Sequence, residues 1–233
     1  MECIILAGGL GTRLRNTIGN YPKCMAEVDG NPFLQYILTY LRQQGVSRVI
    51  LSLGYKHEII LDWLAKNKFD LDIDHVIETE PLGTGGGIAL AIAKAQTDNV
   101  FVVNGDTMFR VDMSGMLTFH TGKQAATTLA LKEMHDFNRY GLVNTDAVGT
   151  ITSFEEKKQT ALGFINGGVY VIDRNKLKGN SFPEKWSFEK DYLEPSVAKG
   201  ILAGYKESGY FIDIGIPEDY SKAQTDFKEQ FRN

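Results

Sequence analysis

The sequence predicts an α/β fold, a mostly parallel mixed sheet flanked by helices with a small antiparallel extension. Three observations carry this expectation. Short apolar, β-branched runs that end in glycine or turn residues recur through the first 123 residues, and segments with apolar residues at helical spacing lie between them. After residue 123 the helical spacing gives way to alternating, β-rich segments with short connections. The 233 residues suit a single domain with a first half over 1–123 and a second half over 124–233 built across the carboxyl edge of the first half's sheet. In open α/β sheets that edge is where ligands bind.

Cys3-Ile4-Ile5-Leu6-Ala7 is apolar on both alternating sets of positions and is stopped by Gly8-Gly9, as a strand buried on both faces should be. Phe33, Leu34, Ile37, Leu38 and Leu41 follow Pro32 at helical spacing, and Gly45 is placed to end that helix. Arg48 to Leu53 reads as the next buried strand, completing a βαβ unit. The pattern repeats with a helix over about 56–66, a strand over 73–78, a helix over 85–95 and the apolar strand Val100-Phe101-Val102-Val103. Strands are then expected over 125–131, 141–144, 148–154 and 164–172. Pro217 opens a last helix with Tyr220, Ala223 and Phe227 on one face.

Composition limits the function classes. With 43% hydrophobic and 23% charged residues the chain has the balance of a folded globular protein. Its net charge of −4 excludes nucleic-acid binding through global charge, so any bound anion must be held locally. Cys3 and Cys24 supply neither a disulfide framework nor a zinc site, and His57, His75, His120 and His135 are scattered without ligand spacing, which suits structural or surface roles. There is no apolar run of about 18 residues and no basic, apolar leader, so the chain is expected to be cytoplasmic, without a membrane partner. The sequence leaves a homo-oligomer open.

The 24 glycines gather at 8–11, 83–87 and 163–168, where something needs close backbone approach. Leu6-Ala7-Gly8-Gly9-Leu10-Gly11-Thr12-Arg13-Leu14 places three glycines and a guanidinium directly after the first strand, the ingredients of a phosphate cradle. A dinucleotide fingerprint read from Gly9 fails at Leu14, and no Gly-x-x-x-x-Gly-Lys occurs, so neither familiar phosphate loop is present. Asp106 follows four apolar residues and Asn104-Gly105, where a buried strand emerges; a carboxylate there suits Mg²⁺, or the turn before a helix starting near Asp112. Asp213 reads either as a second metal ligand or as a strand-end turn residue. Lys157, in Glu155-Glu156-Lys157-Lys158, has the bland alternative of a solvated strand end. Gly83 to Gly87 read as a base platform or a flexible helix start; Ser187 to Asp191 as ligand contacts or a helix capped by Ser187; Trp186 and Phe182 as core or lid.

Together, Leu6 to Leu14, Pro22-Lys23, Glu80 to Gly86, Asn104-Gly105-Asp106, Arg139-Tyr140-Gly141, Phe154 to Lys157, Asn166 to Tyr170 and Asp213 to Tyr220 resemble the sugar-1-phosphate nucleotidyltransferases over nearly the whole chain. Members of that family join an NTP to a sugar 1-phosphate and release pyrophosphate. The resemblance implies a Rossmann-like nucleotidyltransferase domain with a nucleotide-binding first half and a sugar-binding second half, using Mg²⁺ held by Asp106 and Asp213. It implies that Arg13 holds the departing pyrophosphate and Lys23 the α-phosphate region, with Leu6, Ala7, Gly8, Gly9, Gly11, Thr12, Glu80, Gly83, Thr84 and Gly105 around the nucleotide. On the sugar-phosphate side it implies Tyr140, Gly141, Glu155, Lys157, Asn166, Gly167 and Asp191. Leu82-Gly83-Thr84-Gly85-Gly86 resembles members that use GTP and D-glycero-D-manno-heptose 1-phosphate; rival readings use mannose 1-phosphate, or UTP. A catalytically silent nucleotide-sugar sensor is the alternative outside enzymes. Cys24, beside Lys23, is expected close enough to the phosphates for alkylation to inhibit. All of this requires the cations at 13, 23 and 157 and the carboxylates at 106 and 213 to converge.

Overall fold

The computed structural model describes residues 1–9, 14 and 19–230. Its centre is a nine-stranded sheet. Strands β1 (Glu2–Ala7), β4 (Arg48–Leu53), β5 (Asp72–Ile77) and β6 (Asn99–Asn104) pair in parallel in the order β6-β1-β4-β5. Apolar residues along these strands divide between the two faces with the period of two that a pleated strand imposes. Cys3, Ile5, Val49, Leu51, Phe101 and Val103 enter one core, while Ile4, Ile50, Val100 and Val102 enter the other. Because both faces are buried, the strands read as unbroken apolar runs in the sequence.

Helices cover each face. On the first lie α1 (Phe33–Gln43), α2 (His57–Lys66), α4 (Met113–Lys123) and α6 (Pro217–Gln230), contributing Phe33, Leu38, Ile60, Met116 and Phe227 among others. On the second lie α3 (Gly83–Ile92), α5 (Arg174–Lys178) and a π-helical turn over Phe188–Leu193. Phe33, Leu34, Leu38 and Leu41 are fully buried, a stripe worth about 1.5–3 kcal/mol per side chain.

The second half is continuous with the first. The long strand β11 (Thr160–Asp173) pairs antiparallel with β6 on one side and with β8 (Thr127–Phe137) on the other, and β12 (Leu202–Glu207) adds to β8 in parallel. Antiparallel β9 (Leu142–Thr145) and β10 (Ile151–Glu155) join at β11. The expected antiparallel extension is thus a part of the main sheet, not a layer laid upon it. Two small ribbons complete the fold: β2 (Glu27–Val28) with β3 (Asn31–Pro32), and β7 (Thr107–Phe109) with β13 (Phe211–Asp213).

At the end of the sheet opposite the carboxyl edge, Glu2 is buried and accepts hydrogen bonds from the amides of Gln96 (2.8 Å) and Thr97 (2.9 Å), the Thr97 hydroxyl (3.0 Å) and Arg48 Nε (2.9 Å). Burial pushes the Glu2 carboxyl up, but these donors outweigh it and hold the group below its ordinary value. Arg48 also binds Asp72 (2.7 Å) and Asp74 (3.1 Å). Lys94 above all, with the His75 amide and Arg48, holds the Asp74 carboxyl at about 2 against the opposing effect of burial. Replacing Glu2 by Ala leaves the Gln96 and Thr97 amides without their acceptor and takes one of three carboxylates from Arg48, and is expected to destabilise the fold by about 2 kcal/mol, read as a lower denaturant midpoint at unchanged slope. Because the folded carboxyls of Glu2 and Asp74 lie below their unfolded values, their stabilisation is present above the ordinary carboxylate range. Equilibrium unfolding should show the loss begin as pH falls through 4.5 for Glu2 and through 3.8 toward about 2 for Asp74, the latter part of which Asp74→Asn should blunt.

Candidate active site

The site begins where β1 and β6 end. Gly105 donates its amide to the Leu6 carbonyl (2.9 Å), which turns the chain sharply after β6 and presents Asp106 at the carboxyl edge. Asp106 leads directly into β7, whose ribbon partner β13 places Asp213 opposite Thr107. A three-residue pairing therefore brings together carboxylates more than a hundred positions apart. The Ile214 amide donates to the Asp106 carbonyl (3.0 Å) and the Gly215 amide to Asp213 Oδ1 (2.8 Å), fixing both turns.

Lys23 comes to these carboxylates from a single 3-10 turn over Lys23–Met25, anchored by the buried Cys24 and Met25. Its ammonium is hydrogen-bonded to Asp106 Oδ2 and lies 3.6 Å from Asp213 Oδ1. Burial, and then repulsion from Asp106, push the Asp213 carboxyl above its ordinary value, and Lys23 pulls it partly back. An ammonium thus stands where two carboxylate oxygens face one charge. The same pair offers a divalent cation two hard oxygen ligands and leaves its other positions to water and phosphate, which fits Mg²⁺. Among the described residues no cluster of three or more His, Cys, Asp or Glu side chains competes for that role.

A cavity of about 870 Å³ opens over this triad. Of the residues singled out in the sequence, Gly9, Lys23, Asp106, Tyr140, Gly141, Lys157, Asn166, Gly167 and Asp213 line it, so two of the three cations and both carboxylates converge. Arg13, with Gly11 and Thr12, lies outside the described residues. Lys157 has no hydrogen bond or ion pair among the described residues; its neighbour Lys158 takes the Glu155 carboxylate (2.6 Å). An unpaired ammonium facing the cavity is left for an anion. Leu6 and Ala7 end β1, Gly8 and Gly105 follow β1 and β6, and none of the four is in the lining; Glu80, Gly83 and Thr84 stand on the surface around the start of α3, and Glu155 lines an adjoining chamber. Asp191 also lies outside the lining, where it accepts the Ser187 amide (2.7 Å).

Several further lining residues were given no individual role in the sequence. Arg139 binds Asp219 (2.5 Å) and the Tyr140 hydroxyl (3.1 Å), and stands 5.4 Å from the Tyr140 ring centroid. Phe211 meets the Tyr140 ring edge-on at 5.9 Å. Thr107, Gly168, Tyr170, Glu189 and Ile216 also line the cavity. Arg139, Gly168, Tyr170, Glu189 and Ile216 lie within strings singled out in the sequence, and Thr107 and Phe211 lie beside them, which was the available signal.

The glycine run at the start of α3 is filled by the protein itself. Gly83 has φ +77°, and a Cβ there would lie 2.5 Å from the Trp186 carbonyl; at Gly85 it would lie 2.1 Å from the Trp186 ring. Gly85 N donates to Trp186 O (3.1 Å) and Trp186 N to Leu82 O (3.0 Å). Trp186, stacked on Phe182 at 3.8 Å, is therefore core, and the room left by the missing side chain of Gly85 belongs to its indole. Ser187 is the cap of the π-helical turn, accepting from Lys190 N (3.2 Å). Cys24 differs from its expected exposure to alkylating agents: it is 2% exposed, and burial, with the Asp106 charge adding, pushes its thiol to about 12. His120 is structural, buried between Thr128 (2.8 Å) and Asn99 (3.1 Å) with its ring lowered to about 4 by burial.

The nucleotidyl transferase family model matches residues 2–230. D-glycero-alpha-D-manno-heptose 1-phosphate guanylyltransferase of Aneurinibacillus thermoaerophilus is 46% identical over 228 residues, covering 98% of this chain and 99% of that protein. The Campylobacter jejuni protein of the same name is 42% identical over 220 residues, covering 94% and 97%. The crystal structure of HddC from Yersinia pseudotuberculosis complexed with GMP-PN is 39% identical and superposes with a TM-score of 0.88 over 97% of this chain and 99% of that one. The inositol-1-phosphate CTP transferase from T. maritima, at 20% identity, shares the fold with a TM-score of 0.77 over 98% and 96%. With its mixed sheet, its carboxyl-edge cavity and a match spanning almost every residue, the chain belongs to the nucleotidyl transferase family.

Proposed function

We propose that this enzyme transfers GMP from GTP to D-glycero-α-D-manno-heptose 1-phosphate, forming the GDP-heptose and releasing pyrophosphate. The observation that carries the transfer chemistry is the convergence of Lys23, Lys157, Asp106 and Asp213, from four separate segments, on one cavity at the carboxyl edge of the sheet. The guanine and heptose parts of the reading are supported by the likeness to the two heptose 1-phosphate guanylyltransferases and to HddC. The reaction is assigned to the cytoplasm, and its product to the assembly of surface polysaccharide.

In the reaction an oxygen of the sugar phosphate attacks the α-phosphorus. A new P–O bond forms as the bond from that phosphorus to the bridging oxygen of the β-phosphate breaks, and the electron pair leaves with pyrophosphate. A monoester with a second pKa of about 6 is already largely dianionic at neutral pH, so no general base is required. The difficulty is that one anion approaches another, and catalysis is mainly positioning and charge neutralisation. Lys157 is the cation for the sugar phosphate. Lys23 serves the α-phosphate, and Arg13 with the amides of Gly8, Gly9 and Gly11 the departing pyrophosphate. Glu155, Asn166 and the backbone of Gly141 take sugar hydroxyls, while Glu80, Gly83 and Thr84 lie on the base side. Asp106 and Asp213 would hold Mg²⁺, which when bound neutralises charge on the triphosphate.

A grid of four NTPs against heptose, mannose and N-acetylhexosamine 1-phosphates, scored by pyrophosphate release with Mg²⁺, should peak at GTP with the heptose phosphate. A peak elsewhere reassigns the substrates, and tight nucleotide-sugar binding without turnover supports the silent sensor. Asp106→Asn and Asp213→Asn should each lower kcat by at least about 100-fold while the thermal midpoint stays within a few degrees; near-normal turnover in both would remove them from the reaction.

A further inference from the structure

The cavity does not end at Lys157. A second chamber of about 660 Å³ shares Gly141, Lys157, Asn166 and Glu189 with the first and continues past them. The residues assigned to the sugar phosphate and ring hydroxyls stand at or near the junction, so the far side of a bound ring faces the second chamber. Its wall is mixed. Phe154, Leu193 and Val197 are apolar, Glu155, Glu156, Glu189 and Glu194 are acidic, and Lys157 and Lys190 are basic. Apolar surface beside an excess of carboxylate acceptors suits a short carbon chain whose hydroxyls donate.

Glu189 is the group on the partition whose bonding is half complete. Its Oε2 accepts from Thr84 Oγ1 (2.7 Å) and Ser187 Oγ (2.9 Å). Each of those hydroxyls is itself filled by a backbone amide: Phe188 N donates to Thr84 Oγ1 (2.9 Å) and Lys190 N to Ser187 Oγ (3.2 Å). A hydroxyl has one proton and a carboxylate can only accept, so in each contact that proton is directed at Glu189. One carboxylate oxygen is therefore pinned by two oriented donors. The other, Oε1, has no hydrogen-bond partner among the described residues, although the residue is half-buried and lines both chambers. A carboxylate accepts only, so what completes it must donate.

We propose that Glu189 is a specificity-determining residue, whose Oε1 accepts a hydroxyl of the exocyclic chain at C6 of the heptose, with the second chamber housing that chain. The inference rests on the sugar-phosphate reading given above. Asn166 and Gly141 share the partition with Glu189, and of these three only Glu189 turns a bare carboxylate oxygen there, with Thr84 holding its other oxygen from the base side of the site. The same carboxylate thus ties the wall of the sugar chamber to the first turn of α3, and Thr84 and Ser187 act as positioning residues.

The test compares heptose 1-phosphate with mannose 1-phosphate, which has the same ring and an exocyclic chain one carbon shorter. In Glu189→Gln, which keeps the shape of the side chain, and in Glu189→Ala, the KM for the heptose phosphate should rise at least about tenfold, the effect of losing one hydrogen bond to a charged acceptor. The kcat, the KM for GTP and the kcat/KM for mannose 1-phosphate should stay within about twofold, so that the preference for the longer chain collapses. Thr84→Val should move the same parameter in the same direction by less. Equal losses on both sugar phosphates, a rise in the KM for GTP, or an unchanged preference in both Glu189 variants would overturn the proposal. A wild-type enzyme with no preference for the heptose phosphate would instead overturn the proposed function, so the two failures are distinct.

Discussion

Two carboxylates that face one another at the mouth of a buried strand repel, and the region around Asp106 and Asp213 is organised by that repulsion. Burial and the neighbouring charge already push the Asp213 carboxyl upward. Without a cation between them the pair would be an electrostatic fault in a half-buried position. Lys23 supplies the cation from within the chain, and its tether, a 3-10 turn anchored by Cys24 and Met25, ties the first-strand loop region to the β7–β13 ribbon. An arrangement that neutralises itself in the resting protein is also one that polyphosphate oxygens and a divalent ion can enter by exchanging partners, without creating an uncompensated charge at any stage.

The two halves of the chain meet across β6 and β11. Parallel strands end at the carboxyl edge and deliver Asp106; the antiparallel β11 runs back past them and delivers Asn166, Gly167 and Gly168 to the same cavity. The opposite end of the sheet is closed by the Glu2–Arg48 network, where acidic and basic groups satisfy one another fully. Ion pairs close one end of the sheet, whereas at the other the Lys157 ammonium and one oxygen of Glu189 have no partner among the described residues. Chemistry is built at the incomplete end.

Much of this was legible in the sequence. Strands apolar on both faces, such as Cys3 to Ala7 and Val100 to Val103, leave few alternatives, and the amphipathic stripe of α1 is equally plain. The helix expected over 85–95 starts instead at Gly83, because Trp186 packs on the glycines and holds them helical, a tertiary contact with no local signature. β7 and β13 were invisible because strands of three residues exist only through one another. β11 extends back to Thr160 through the exposed Ala161 and Leu162, which carry no clear alternation between buried and solvent faces. At the site, charged residues inside distinctive strings were readable, Lys157 and Asp213 among them. Glu189 was readable only as one of the Ser187 to Asp191 run, where ligand contact and a serine-capped first turn with acids stood as equal readings.

The register of the β7–β13 ribbon carries one further consequence. Side chains alternate along a strand, so moving β13 by a single position past β7 would turn Asp213 to the other face of the ribbon and bring Ile212 or Ile214 to its place. Six hydrogen-bonding residues thus act as a vernier for the whole molecule. Insertions in the loop at 146–149 leave the carboxylate pair untouched, whereas one residue gained or lost between Glu207 and Phe211 threatens to erase it while the core remains intact.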